Sequence, residues 1–169
     1  MRALRSYRLE AICLGSILAA LGLSAPAEAQ NATATASMQI TATVLKLCAV
    51  TASNLAFGDY TPTAAKEGQA DLQVTCTTST PYNVALGLGS ATSATTRQMV
   101  GPVAGSTLSY ILYRNSARTD VWGETVGTDT AAGTGTGAAQ TLTVYGRIPA
   151  NQRPQPGAYT DTVTVTLTY

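Results

Sequence analysis

Histidine is absent from this chain of 169 residues. That removes the usual general base of Ser-His-Asp and Cys-His catalysis and the commonest metal ligand. Aromatic residues are few (one Trp, one Phe and eight Tyr), and charged residues make up 11 % of the sequence. The basic residues form no stripe that could follow a phosphate backbone, which argues against nucleic acid as a partner. The acids form no D-x-[DN]-x-[DN]-G loop for calcium. Asp120, Glu124 and Asp161 are of the type that a glycosidase pairs, but nothing in the sequence places two of them together. The reading is of a protein that is not an enzyme and holds no cofactor or metal.

Cysteine is scarce too, with Cys13, Cys48 and Cys76 as the whole set. The first falls in a segment with the layout of a secretion signal. Arg2, Arg5 and Arg8 make a positive start, Ala11 to Leu23 an apolar stretch, and Ala27-Glu28-Ala29 a small-x-small cleavage site. The apolar stretch is short of the ~20 residues that span a bilayer, so no membrane span is expected once residues 1–29 are removed. Without Arg2, Arg5, Arg8, Glu10 and Glu28, the ten basic and nine acidic residues become seven of each. Such a near-neutral surface offers little mutual repulsion and is prone to associate. The two cysteines left in an exported chain read as one disulfide, Cys48–Cys76, the alternative being two separate buried thiols. Closing a ~29-residue loop contributes roughly 3–4 kcal/mol in the chain-entropy model.

What the chain does have is alternation. From Ala32 to Val44 every even position is apolar and every odd one is Thr, Ser or Gln. A period of two marks a strand with one face for a core and one for water. Extended, the run spans roughly 43 Å at ~3.3 Å per residue, more than twice a usual strand. It follows directly on the export signal, which suits a terminal strand that completes another molecule's sheet. Around Val44 the phase changes, and Leu45 and Leu47 take over the apolar character. We therefore read a free N-terminal strand over Ala32 to Ile40 and a first domain strand over Ala42 to Val50.

Beyond it, runs rich in Thr, Val and Tyr alternate with Gly, Pro, Asn and Ser, the all-β pattern. Strands are expected at Ala70 to Thr77, Tyr82 to Leu88, Gln98 to Val103, Leu108 to Arg114, Thr141 to Ile148 and Ala158 to Tyr169. In the last of these Tyr159, Val163, Val165, Leu167 and Tyr169 share a face with Asp161. Seven or so strands divided by turns suggest an immunoglobulin-like sandwich. Thr128 to Gly137 reads as a low-complexity mobile loop; its Gly133-Thr134-Gly135-Thr136-Gly137-Ala138 only partly matches a dinucleotide fingerprint, with no apolar strand before it and no helix after. Trp122-Gly123 reads as packing at a strand end in preference to a sugar-stacking platform.

The ordered series of motifs resembles the spore coat protein U domain, the domain of archaic, Csu-type chaperone–usher pilins. The signal and an alternating strand running up to Cys48 are followed by L-A-F-G-D-Y (55–60), L-Q-V-T-C (72–76) and P-Y-N-V-A-L (81–86). Then come L-S-Y-I-L-Y-R (108–114), W-G (122–123), Y-G-R-I (145–148) and G-A-Y-T-D-T-V-T-V-T-L-T-Y (157–169). Each is weak alone, and in series they are specific. The resemblance implies an all-β, incomplete immunoglobulin-like β-sandwich that lacks its last strand and is completed by donor-strand exchange. A periplasmic pilus chaperone would fill the gap during export, and a neighbouring subunit would fill it at the outer-membrane usher. The implied organisation is a signal peptide over 1–29, a donor strand over 30–41 and a pilin domain over 42–169. The donor face maps to Ala32, Ala34, Ala36, Met38 and Ile40. The strand lining the groove and meeting the chaperone maps to Tyr159, Val163, Val165, Leu167 and Tyr169. The implied function is a structural subunit of a surface pilus (fimbria) for attachment and biofilm formation, reached through the periplasm. The alternative is a spore coat or extracellular matrix protein that uses the same domain without a pilus.

Overall fold

The computed structural model describes residues 31–169. The signal segment read over 1–29, and Gln30 after it, lie outside the described residues. The chain divides into two units, one ending at Thr41 and the other comprising Ala42–Tyr169. Residues 31–41 are exposed and belong to no strand.

Eight strands build the second unit: β1 (Cys48–Ala52), β2 (Lys66–Cys76), β3 (Pro81–Leu86), β4 (Arg97–Val100), β5 (Thr107–Tyr113), β6 (Ala131–Thr134), β7 (Ala139–Ile148) and β8 (Val165–Thr168). A single 3₁₀ turn, Ala94–Thr96, precedes β4. Five strands form one sheet in the order β1-β2-β7-β5-β4, and three form the other in the order β6-β3-β8. All named pairs are antiparallel. This is an all-β sandwich of two curled sheets.

Period-two patterning decides which faces meet. On β2, Ala70, Leu72, Val74 and Cys76 turn inward while Asp71, Gln73 and Thr75 face water. Tyr82, Val84 and Leu86 do the same from β3, Leu108, Tyr110 and Leu112 from β5, and Val144 and Ile148 from β7. Their side chains form one contiguous core with Trp122. Fully burying one large apolar side chain contributes ~1.5–3 kcal/mol, so this cluster dominates folding. Cys48 and Cys76 stand directly opposite in the β1–β2 ladder, with Cα atoms 4.1 Å apart, and are joined as a disulfide.

The structure moves three boundaries. The first domain strand starts at Cys48, not Ala42: residues 42–47 carry the alternation, but only from Cys48 does β2 supply a paired edge. The segment read as a mobile Thr/Gly/Ala loop contains β6, which pairs with β3 from Pro81↔Thr134 to Val84↔Ala131. Its small residues have a packing cause, because a Cβ at Gly133 would run into the Tyr82 ring. The closing strand read over 158–169 forms a ladder only at Val165–Thr168, with one further bridge at Val100↔Thr160.

Arg97 is wholly buried and has no carboxylate partner at hydrogen-bond distance. Its Nε donates to the Gly87 carbonyl at 2.9 Å, and Nη2 donates to Leu86 and Trp122 carbonyls at 2.8 Å each. Nη1 reaches the Ala94 carbonyl at 3.1 Å. The Trp122 indole N–H in turn donates to the Val84 carbonyl at 2.9 Å. One guanidinium at the start of β4 therefore ties its own sheet to the end of β3 in the other. Desolvation by burial pushes its pKa below the usual value, with nearby acids opposing this in part. Arg97→Ala strands three buried carbonyls, and the expected loss is about 3–5 kcal/mol. Urea unfolding followed by fluorescence of Trp122, the single tryptophan, measures it. A loss below ~1 kcal/mol, the net worth of one ordinary hydrogen bond, contradicts this account.

Candidate functional site

Two strands in this sandwich have a free edge on the same open side of the core. β1 bonds only to β2, and β8 bonds only to β3. Between the segment that continues β1, Ala52–Phe57, and the segment that leads into β8, Tyr159–Val165, lies a cleft of about 410 Å³. Its floor is the core itself: Leu72, Leu86, Tyr110, Leu112 and Val144 contribute to the lining. A free strand edge presents unpaired N–H and C=O groups, and here they border apolar surface that water wets poorly.

The C-terminal segment builds one wall. Tyr159, Asp161, Val163, Val165 and Leu167 are part-buried, alternating with exposed Thr160, Thr162, Thr164, Thr166 and Thr168. Tyr159, Val163, Val165 and Leu167 pack against the core cluster, whereas Tyr169 is 53 % exposed and does not line the cleft. The segment crosses between sheets. Thr160 exchanges backbone hydrogen bonds with Val100 at the edge of β4, and Gly87 N–H donates to Thr164 O at 2.8 Å before the β3–β8 ladder begins.

Asp161 fixes that crossing. Its Oδ2 accepts from the Tyr110 hydroxyl at 2.6 Å, and its Oδ1 accepts from Ser90 N–H, Ser90 Oγ and Thr162 N–H at 2.9 Å each. Gly89, at φ +63°, passes so close to this carboxylate that a Cβ would collide with it. Burial pushes the Tyr110 phenol well above its ordinary value, helped by the hydrogen bond to Asp161 and the charge it carries. The lone acid within the apolar face of 159–169 was the sequence signal for this cluster. Arg97 left none.

The residues of the N-terminal alternation lie in the first unit. Ala32, Ala34, Ala36, Met38 and Ile40 are all exposed, Met38 at 82 % and Ile40 at 83 %. Trp122, by contrast, is 1 % exposed, which removes it as a stacking platform for sugars. Among the described residues no three His, Cys, Asp or Glu side chains gather to hold a metal, and no helix is long and apolar enough to cross a membrane.

An antiparallel sandwich with one open, apolar side defines the class of protein, and comparison with known proteins defines the family. The sequence model of the Spore Coat Protein U domain matches residues 34–166. "Protein U" of Myxococcus xanthus is 32 % identical over 173 residues, an alignment covering 92 % of this chain and 96 % of that protein. Among solved structures, a chain in the crystal structure of the CsuC-CsuE chaperone-tip adhesion subunit pre-assembly complex, from archaic chaperone-usher Csu pili of Acinetobacter baumannii, is similar. The TM-score is 0.59 with 25 % identity over 75 % of this chain, which spans 41 % of the matched chain. This chain belongs to the spore coat protein U domain family.

Tyr110 offers a test of the cluster by pH. A phenol whose pKa is raised by folding stabilises the fold fully below its unfolded value, near 10.0, and that share is lost as pH climbs from there toward the folded value. Tyr110→Phe is expected to cost about 1–3 kcal/mol at neutral pH, because Asp161 loses a donor. The gap between wild type and variant should hold steady up to about pH 10 and shrink above it. Denaturant midpoints measured across pH 7–11 check this, and a gap that is constant throughout contradicts it.

Proposed function

We propose that this protein is a structural subunit of a surface pilus assembled by the chaperone–usher route through donor-strand complementation. The observation that carries the reading is the open cleft between Ala52–Phe57 and Tyr159–Val165, the segments that run on from the edge strand β1 and into the edge strand β8. A strand laid there supplies the missing main-chain hydrogen bonds, and its alternate side chains fill the cleft. The face Ala32, Ala34, Ala36, Met38 and Ile40 has the required period and sits exposed in the first unit. Donated to the next subunit, it links copies head to tail. The segment from Tyr159 to Val165, which lines the cleft, is the acceptor wall.

The similarity to a chaperone–subunit complex from Csu pili supports a periplasmic chaperone as the first occupant of the cleft and an outer-membrane usher as the place of exchange. Residues 1–29 serve as the export signal, the chain passes through the periplasm, and the fibre stands on the cell surface, where it serves attachment and biofilm formation. A second reading is favoured by the relative of nearly equal length, "Protein U", and by the spore coat description of the family. In it the same domain forms a coat or matrix without a pilus.

Deletion of residues 32–40 is expected to leave chaperone-assisted folding intact and to stop polymer growth. Met38→Asp should do nearly the same, because an unpaired carboxylate entering an apolar site costs several kcal/mol, roughly 2–7 for a neutral polar group and more for a charge. Thr41→Asp, on the opposite face of the alternation, is the control. The readout is a ladder of detergent-resistant multimers in unheated gels, with surface fibres seen by electron microscopy. Normal ladders and fibres from the deletion overturn the donor reading. Multimers without fibres in the wild type favour the coat.

A further inference from the structure

We propose that the donated strand extends past Ile40 to Val44, setting Ala42 opposite Asp161 of the acceptor copy and Val44 into a second cleft at Tyr159. The proposal rests on the donor-strand reading above and adds the register and the far end of the contact.

The apolar alternation does not end at Ile40; Ala42 and Val44 continue it. They pair with no strand of their own domain, since β1 begins at Cys48 and residues 42–47 lie in no strand, and Val44 only borders a shallow cleft there with Leu45 and Thr77. Val44 is 87 % exposed, next to Leu45 at 77 %. Scattered exposed apolar residues are ordinary, but a run of them beside a strand of fixed period calls for a covering surface.

That surface is the continuation of the acceptor cleft. Beyond Tyr159 the cleft runs into a second one of about 670 Å³, and the two share Leu55, Phe57, Met99 and Tyr159. Pro154 to Ala158 form the outer wall of the second. In the other direction neither Leu167 nor Tyr169 lines the first cleft. The first cleft therefore continues at the Tyr159 end and stops short of Leu167. The donor face is graded, with alanine at 32, 34 and 36 and larger side chains at Met38, Ile40 and Val44. Setting the larger side chains toward the end that continues lays the donor antiparallel to β8, which continues the pairing sense of every ladder in the fold.

Residues directly opposite in an antiparallel pair share a face, so registers that keep the apolar faces together differ by two residues. With Ile40 opposite Val163 and Met38 opposite Val165, Ala36 meets Leu167, Ala42 meets Asp161 and Val44 meets Tyr159. The register slipped by two puts Ile40 on Asp161. A branched apolar side chain there would strip water from a carboxylate already engaged with Tyr110 and Ser90, at a desolvation cost. Alanine leaves that carboxylate its space. The one acid in the acceptor wall thus faces the smallest apolar side chain available.

Polymers assembled from full chains carrying paired substitutions test the register. Ile40→Cys with Val163→Cys places the two Cα atoms ~4.5–5.5 Å apart across copies, within disulfide reach. Met38→Cys with Val163→Cys leaves the two as diagonal neighbours, ~7–8 Å apart. After oxidation, covalent multimers are expected from the first pair and about tenfold fewer from the second, given that spacing. The reverse pattern, equal yields, or no multimers from either pair overturns the register. Val44→Asp should lower the temperature at which the unheated-gel ladder falls apart, while Val44→Ile preserves it; an unchanged ladder from Val44→Asp overturns the extension. Ladders that survive deletion of residues 32–40 reject the donor reading itself, whereas ladders lost in that deletion together with failed cross-links reject only the register.

Discussion

Backbone groups at the free edges of β1 and β8 must find partners, and the rest of the structure depends on how that demand is met. An edge facing water can be solvated at little cost. Where β1 runs on into Ala52–Phe57 and Tyr159–Val165 leads into β8, a cleft floored by Leu72, Leu112 and Val144 opens, so covering the apolar surface and pairing the edge are one problem. Only an extended segment with side chains at a period of two answers both at once, because it brings hydrogen bonds every second residue and apolar groups in between. A loop or helix laid over the opening would leave the edge groups unpaired, at about 1–3 kcal/mol for each one buried.

A sandwich left open along one side needs other means of keeping its sheets in place. Three devices tie its strands together. The Cys48–Cys76 bridge fastens the edge strand β1 to β2. The buried Arg97 collects carbonyls from Leu86, Gly87, Ala94 and Trp122, and so joins the two sheets by polar contacts that tolerate little displacement. Asp161 gathers Tyr110 and Ser90 where the last segment passes from one sheet to the other. Together they restrain the two sheets relative to each other, and in the proposed assembly an incoming strand then meets a preformed site.

Much of this was legible in the residues, for reasons that are physical. Leu72-Gln73-Val74-Thr75-Cys76 and the closing Val163 to Thr168 alternate strictly because one face is buried and the other wet, and both appear with that facing. The paired cysteines of an exported chain pointed to the bridge that the structure contains. β6 was not legible, because Ala131-Ala132-Gly133-Thr134 has neither bulk nor branched side chains to announce a strand; its composition is set from outside, by the Tyr82 ring. The start of β1 was misplaced because alternation records a face and not a partner, and residues 42–46 have the face without a ladder partner in their own domain. Nor does any local pattern distinguish Arg97 from a surface arginine, since its four acceptors come from three separate stretches of chain.

Hydrogen exchange along β1 and β8 tests the central claim most directly. The amides in these strands that do not bond to β2 or β3 should exchange quickly in the unassembled chain and become strongly protected in the polymer. Amides already paired within β2, β5 and β7 should change little. Protection confined to the free edges on assembly is the result the account predicts. Edges that are equally protected before assembly, or that stay unprotected in the polymer, would contradict it.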